Sequence, residues 1–192
     1  MSSPRILAFA GATRTQSWNK KLIRVGMEFA RAAGSEVTLI DLRDFPMPLY
    51  DGDFEAAEGL PEKARELKAL MLEHDALLLS CPEYNSSITA VLKNSIDWVS
   101  RPRPNEPNAF KGKVAGLLAA SPGNLGGVRG LFTVRQVLTT LGVLVVPTQF
   151  ALNQAAGAFA EDGSLKDERQ REAVRAVAAE LVKVTRALLP VP

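Results

Sequence analysis

Cysteine and histidine are almost missing: Cys81 and His74 are single copies in a chain of 192 residues. One cysteine rules out an intrachain disulfide and fits a reducing compartment. One of each also rules out the Cys/His spacing of a zinc site, and no metal is expected. An excess of one charge is missing too, with 23 basic against 21 acidic residues and a net charge of +2. That balance argues against nucleic acid or a membrane surface as the main partner. No apolar run approaches the ~18 residues of a membrane span. The apolar stretch near the start, "RILAFA", is too short for the core of a signal peptide. A cytoplasmic location is therefore expected.

What is present suits a single folded unit. Hydrophobic residues make up 46% and charged residues 23% of the chain. No repeat, low-complexity tract or linker divides it, so one domain over 1–192 is expected. A domain of this size buries roughly 70% of the surface its unfolded chain exposes and needs no covalent staple.

Short apolar runs alternate with helical periodicity. Strands are expected at 5–10, 36–40, 76–80, 114–120 and 143–147. Helices are expected at about 17–33, 61–73, 89–100, around 134–141 and at 167–189. The strands are continuous apolar runs and not alternating ones, which implies a parallel sheet covered on both faces. In such a sheet, ligands sit beyond the carboxyl ends of the strands, where the strand order switches.

The loops at those ends hold most of the chain's polar and glycine-rich chemistry. After the first strand comes "GATRTQSWN", with Gly11, Thr13, Arg14, Ser17 and Asn19 leading into a helix. Free N–H groups at a helix N-terminus favour an anion such as phosphate. The same loop could be a polar turn in which Ser17 caps the helix. It lacks both the Gly-Lys-Ser/Thr of a P-loop and the G-x-G-x-x-G of a nicotinamide site. After the third strand, Pro82, Glu83, Tyr84 and Asn85 could offer backbone groups to a flat heterocycle or form a plain turn. After the fourth, Ser121, Gly123, Gly126 and Gly127 allow close approach of backbone to a ligand, or simple flexibility.

Three segments, "GATRTQSWNKKL" (11–22), "PEYNSSITAVLKNSIDWVSRP" (82–102) and "SPGNLGGVRGLFTVRQVLTTLG" (121–142), resemble the NADPH-dependent FMN reductase family in order and spacing. The resemblance implies an α/β, flavodoxin-like, doubly wound fold with a five-stranded parallel sheet of order 2-1-3-4-5. It implies bound FMN, with NADPH or NADH as co-substrate. Thr13, Arg14, Ser17 and Asn19 would surround the FMN phosphate. Pro82, Glu83, Tyr84 and Asn85 would line the isoalloxazine, largely through backbone, and Ser121, Gly123, Gly126 and Gly127 would close its other side. The implied acceptors are small molecules: free flavin, quinones, azo compounds or metal oxyanions. A homodimer or homotetramer is implied, with Trp98 and Phe132 as candidate anchors. Ala12 stands where the family commonly has serine, and Thr89 where it often has proline.

Other classes fit less well. Cys81 as a phosphatase nucleophile would need arginine six residues on, where the chain has Ser87. A response regulator would need aspartate at the end of the third strand, where the chain has Ser80 and Cys81. A flavodoxin-type electron carrier binds FMN without a hydride-donor site, but such proteins are strongly acidic and this chain is not. No side chain is expected to act as an obligatory acid, base or nucleophile, since the flavin nitrogen N5 takes the hydride. His74 is expected to be structural, and Trp98 to serve in the core or in a subunit contact.

Overall fold

The computed structural model of the chain describes residues 3–102 and 104–190; the ends of the 1–192 unit and Arg103 lie outside the described residues. The elements run β1 (Arg5–Ala10), α1 (Trp18–Ala32), β2 (Glu36–Asp41), α2 (Gly52–Glu58), α3 (Glu62–Glu73), β3 (Ala76–Ser80), β4 (Glu83–Tyr84), β5 (Ser87–Ile88), α4 (Ala90–Val99), β6 (Val114–Ala120), α5 (Val128–Thr140), β7 (Leu144–Leu152) and α6 (Glu168–Leu188). The main sheet has the order β2-β1-β3-β6-β7, and each neighbouring pair is parallel. Numbered by the five long strands alone, this is the expected 2-1-3-4-5. The order reverses between β1 and β3.

Each central strand buries both faces, which is why its sequence is continuously apolar. Leu7, Phe9, Leu77, Leu79 and Leu117 pack against α3, α4 and α5. Ile6, Ala8, Leu78 and Leu118 point the other way, onto Leu22 and Ile23 of α1 and Val177, Ala178 and Leu181 of α6. Among the described residues no helix is long and apolar enough to cross a membrane.

β1, β3 and β6 have the expected bounds, but β7 runs on past the expected end at 147. Pro147 interrupts the ladder without ending the strand. The register passes from Ala115↔Val145 to Leu117↔Gln149, so β7 bulges around the proline. Arg135 of α5 donates to the carbonyls of Val145 (3.2 Å) and Val146 (2.9 Å) there. Glu180 of α6 accepts from the N–H of Thr148 at 3.0 Å.

Two further expectations need correction. Trp98 is fully buried, donates its indole N–H to the Pro48 carbonyl at 2.8 Å and meets Tyr50 edge-on. It belongs to the core of one subunit and is not free to anchor another. Leu188, which continues the apolar spacing of the helix expected at 167–189, is exposed at the last turn of α6. Trp98 is covered because residues 47–60, including α2, fold back over α4. Asn94 holds that segment by accepting from Tyr50 N–H (2.8 Å) and donating to the Pro48 carbonyl (2.9 Å).

Candidate functional site

The first, third and fourth loops leave three adjacent strands at one level, since Ala10 pairs with Ser80 and Ser80 with Leu118. Main-chain bonds continue across the edge: Gly11 N–H donates to Ser80 at 2.9 Å and Cys81 N–H to Leu118 at 2.7 Å. The loops also hold one another. Thr89 accepts from Leu92 N–H at the start of α4 and donates its hydroxyl to the Gly11 carbonyl at 2.7 Å. A proline at this position could make neither bond. Gly11 packs so closely on α4 that a Cβ there would lie 3.0 Å from Leu92.

The first loop leaves an unusual number of donors open. Ala12 N–H turns back to the Ala10 carbonyl at 2.8 Å. From Thr13 to Lys20, however, only Ser17 N–H faces a protein acceptor among the described residues, the Arg14 carbonyl across the turn at Thr15–Gln16, and that bond is weak; the next N–H, that of Lys21, donates to Ser17. Ser17 occupies the N-cap position of α1 but makes no capping bond. The expected turn is present at Thr15–Gln16, but the Ser17 side chain does not cap α1. The first turn of α1 thus offers main-chain N–H groups and its positive dipole end at the edge of the sheet, a combination suited to an anion.

Not every expected residue presents its side chain. Asn19 is buried, and its amide oxygen accepts from Ala120 N–H (2.9 Å) and the Ser80 hydroxyl (2.9 Å) while its nitrogen donates to the Ala120 carbonyl (2.8 Å). It pins the start of α1 to β3 and β6, and only its main-chain N–H is open to a ligand. Arg14 is exposed; it donates to the Gln16 carbonyl at 2.8 Å and lies 5.1 Å above the Trp18 ring. Thr13 is also exposed.

In the third loop, β4 and β5 form a hairpin that the sequence did not reveal. Its two turn residues, Asn85 and Ser86, have φ of 50° and 65°, as a tight two-residue hairpin requires. The turn exposes Tyr84 and Asn85, and Pro82 is buried beneath. Glu83 turns inward to α5. Its carboxylate accepts from Arg129 N–H at 3.0 Å and Gly130 N–H at 3.3 Å, and pairs with the Arg129 guanidinium. The amino end of α5 is thus filled by an acid from the neighbouring loop, in contrast to that of α1.

The fourth loop is a tight coil around Ser121, whose hydroxyl accepts from Gly123 N–H at 3.2 Å. Ala155 N–H donates to the Ser121 carbonyl at 3.1 Å, so the segment after β7 joins the same edge. Gly126 and Gly127 are buried with φ of 63° and 95°. Gly123 is exposed, and a Cβ there would meet only the Ser121 hydroxyl at 3.6 Å. The fold has no need of glycine at 123; a flat group lying over the loop would.

Sequence reasoning missed Arg43, Lys20 and Asp41. Arg43 follows β2 and crosses to the first loop, donating to the Thr13 carbonyl (3.0 Å) and the Thr15 hydroxyl (2.9 Å). Lys20 is buried and pairs with Asp41 at 2.5 Å. The available signal was that β2 also ends at this edge, two residues before Arg43.

Two reactive residue types are out of play. Cys81 is fully buried, and desolvation pushes its thiol up to about 12, far from a working nucleophile. His74 precedes β3, at the opposite end of the sheet, with its ring nitrogens on the Leu70 carbonyl (2.6 Å) and the Thr38 hydroxyl (2.8 Å). Among the described residues no group of three or more His, Cys, Asp or Glu could hold a metal ion.

Comparison with known proteins adds the following. The family model for NADPH-dependent FMN reductase matches residues 4–157. An NAD(P)H-dependent FMN reductase of Pseudomonas aeruginosa is 34% identical over 172 residues, 89% of each chain. An NAD(P)H:quinone oxidoreductase of Solanum tuberosum is 33% identical over 178 residues, 90% of this chain and 88% of the other. Among solved structures, the flavoenzyme NAD(P)H:(acceptor) oxidoreductase FerB of Paracoccus denitrificans superposes with a TM-score of 0.82 at 29% identity, covering 96% of this chain and 98% of that one.

Proposed function

The chain belongs to the NADPH-dependent FMN reductase family, and from that premise we propose that it is an FMN-dependent NAD(P)H oxidoreductase with a small-molecule acceptor. The acceptor classes are free flavin, quinones, azo compounds and metal oxyanions, and donor and acceptor use the site in turn. Bound FMN supplies the redox chemistry, taking up hydride from the nicotinamide and releasing electrons to the acceptor. The observation that carries this reading is the start of α1, which no side chain caps and which presents main-chain N–H groups between Thr13 and Lys20.

The chain's own residues bind and orient. Main-chain N–H groups of residues 13–20, with the Thr13 and Ser17 hydroxyls and Arg14, would hold the phosphate. The hairpin at Tyr84–Asn85 and the loop at Ser121–Gly127 would hold the ring. Charge that develops on the ring's N1–O2 edge needs hydrogen-bond donors. Main-chain N–H groups of Asn124, Leu125 and Gly127 have no protein acceptor among the described residues and suit that purpose. Asn19, Thr89 and Glu83 keep the three loops in place. No side chain at this edge is required to form a covalent bond. A flavodoxin-type carrier is disfavoured because the relatives are named as reductases of flavin and quinone.

The test is anaerobic mixing of the FMN-loaded protein with NADPH or NADH. Flavin absorbance is expected to bleach, and Cys81→Ala and His74→Ala, once loaded with FMN, should bleach at rates within about tenfold of the parent. A loss of 100-fold, roughly 2.7 kcal/mol of barrier, would assign one of them a catalytic role. No bleaching by either donor would defeat the reading. In steady state, initial-rate lines for donor and acceptor are expected to run parallel; intersecting lines would mean that both occupy the site together.

The working assembly is a homodimer or homotetramer. Tyr84, Leu125 and Phe132, on the hairpin, the fourth loop and α5, are 61%, 53% and 61% exposed, and they are the side chains such a contact would bury. Sedimentation of the FMN-loaded protein at micromolar concentration checks this, and a species of 20.7 kDa would overturn it.

A further inference from the structure

β2 ends on Asp41, whose Oδ1 accepts from Arg43 N–H at 3.0 Å and so starts a single 3-10 turn, Leu42–Asp44. That turn aims the Arg43 side chain across the edge of the sheet. Its Nε donates to the Thr13 carbonyl at 3.0 Å; its Nη2 donates to the same oxygen and to the Thr15 hydroxyl at 2.9 Å. The other Asp41 oxygen holds the Lys20 ammonium at 2.5 Å, which in turn lies 3.3 Å from the Thr13 carbonyl. One carbonyl oxygen in an exposed loop therefore faces both a guanidinium and an ammonium. Burial raises the Asp41 carboxyl, but the Lys20 bond, the Arg43 N–H and the two cations more than offset it, leaving it below its usual range. It stays charged through the neutral range and keeps Lys20 in position.

A trans peptide is planar, so its C=O and the following N–H point in opposite directions. Holding Thr13 C=O toward Arg43 and Lys20 forces Arg14 N–H away from them and fixes its direction. Resting on the FMN reading above, we propose that Arg43 is a positioning residue: with Asp41 and Lys20 it clamps Thr13 and Thr15, so that the phosphate cradle is formed before the cofactor arrives. A cradle ordered in advance does not have to lose its freedom on binding, which favours affinity. The planar fork is what lets one side chain reach both acceptors, and a lysine has the charge without the fork.

The experiment uses full-length protein stripped of FMN: the parent, Arg43→Ala, Arg43→Lys and Thr15→Val. Trypsin cleavage after Arg14, identified by fragment mass, reports the order of the loop. Quenching of flavin fluorescence reports the affinity for FMN and for riboflavin. Cleavage after Arg14 is expected to quicken at least tenfold in both Arg43 variants. The FMN Kd should rise at least tenfold in both, with the riboflavin Kd within threefold of the parent. Thr15→Val, at an exposed site where folding is not at stake, should shift both readouts in the same direction and add nothing further in the Arg43→Ala background. An Arg43→Lys variant with the parent's FMN Kd would show that charge alone matters and would overturn the clamp. So would unchanged cleavage in both Arg43 variants, or full additivity with Thr15→Val. If the parent itself fails to bind FMN, the cofactor reading falls, while the cleavage comparison still decides the clamp.

Discussion

Gly126→Ala is expected to lower the melting temperature by roughly 5–15 °C or to abolish folding, with FMN present or absent. The residue has φ of 63°, a region that costs an L-residue about 1–2 kcal/mol. A Cβ there would lie 2.7 Å from the carbonyl carbon and oxygen of Ala151 and 2.9 Å from Asn153 N, all of them main chain. That stretch of β7 cannot retreat, because the Leu152 carbonyl between them accepts from Ser121 N–H at 3.0 Å. Overpacking adds about 1–3 kcal/mol, and ~1 kcal/mol moves the midpoint of a chain this size by about 2–4 °C. Gly123→Ala, three positions away, is expected to behave in the opposite manner. Its melting temperature without FMN should stay within about 2 °C, since the new methyl meets only a hydroxyl at 3.6 Å. Its FMN affinity should fall by about tenfold or more, ~1.4 kcal/mol, as the methyl enters the space assigned to the ring. Thermal melts and flavin titrations of the two variants separate the roles. A stable Gly126→Ala would refute the close approach to β7, and a Gly123→Ala that binds FMN normally would remove this loop from the site.

FMN should bind at least ~100-fold more tightly than riboflavin, a difference of about 2.7 kcal/mol. Riboflavin lacks the phosphate and so loses the start of α1, worth ~0.3–2 kcal/mol, and charge-assisted bonds worth about 1.5–3 kcal/mol each. Two such bonds suffice, and residues 13–20 hold more open donors than that. Arg14 contributes less than its charge suggests, because it must leave the Gln16 carbonyl to reach the phosphate. Arg14→Ala is accordingly expected to weaken FMN by only about 3–10-fold, and riboflavin hardly at all. Equal affinities for the two flavins would mean that the cradle holds something else.

The strands were legible because double-sided burial leaves a mark in sequence: an unbroken apolar run such as "ALLLS" has no other easy explanation. The loops were legible as a set because glycines and small polar residues cluster at three strand ends. What stayed hidden depends on contacts made at a distance. Asn19 looks like a ligand donor in sequence, and only the meeting of α1 with Ser80 and Ala120 turns its amide inward. Arg43 lies in an unremarkable "DLRD", and its reach to Thr13 follows from β2 lying beside β1. Trp98 was ambiguous because residues 47–60, which cover it, carry no periodicity. Pro147 suggested the end of a strand because the residues that rescue the bulge, Arg135 and Glu180, lie on two different helices.

That bulge also limits how copies of this chain can meet. β7 is an edge strand, and an edge of open N–H and C=O groups invites another chain to add on. Here Pro147 has no N–H to offer, the Val145 and Val146 carbonyls are occupied by Arg135, and the Thr148 N–H by Glu180. The edge is thereby interrupted over residues 145–148. A regular ladder with another chain cannot run unbroken along β7, which works against strand-by-strand growth there. Contact between copies on the β7 side therefore falls to side chains on helices and loops, such as the exposed Phe132 of α5.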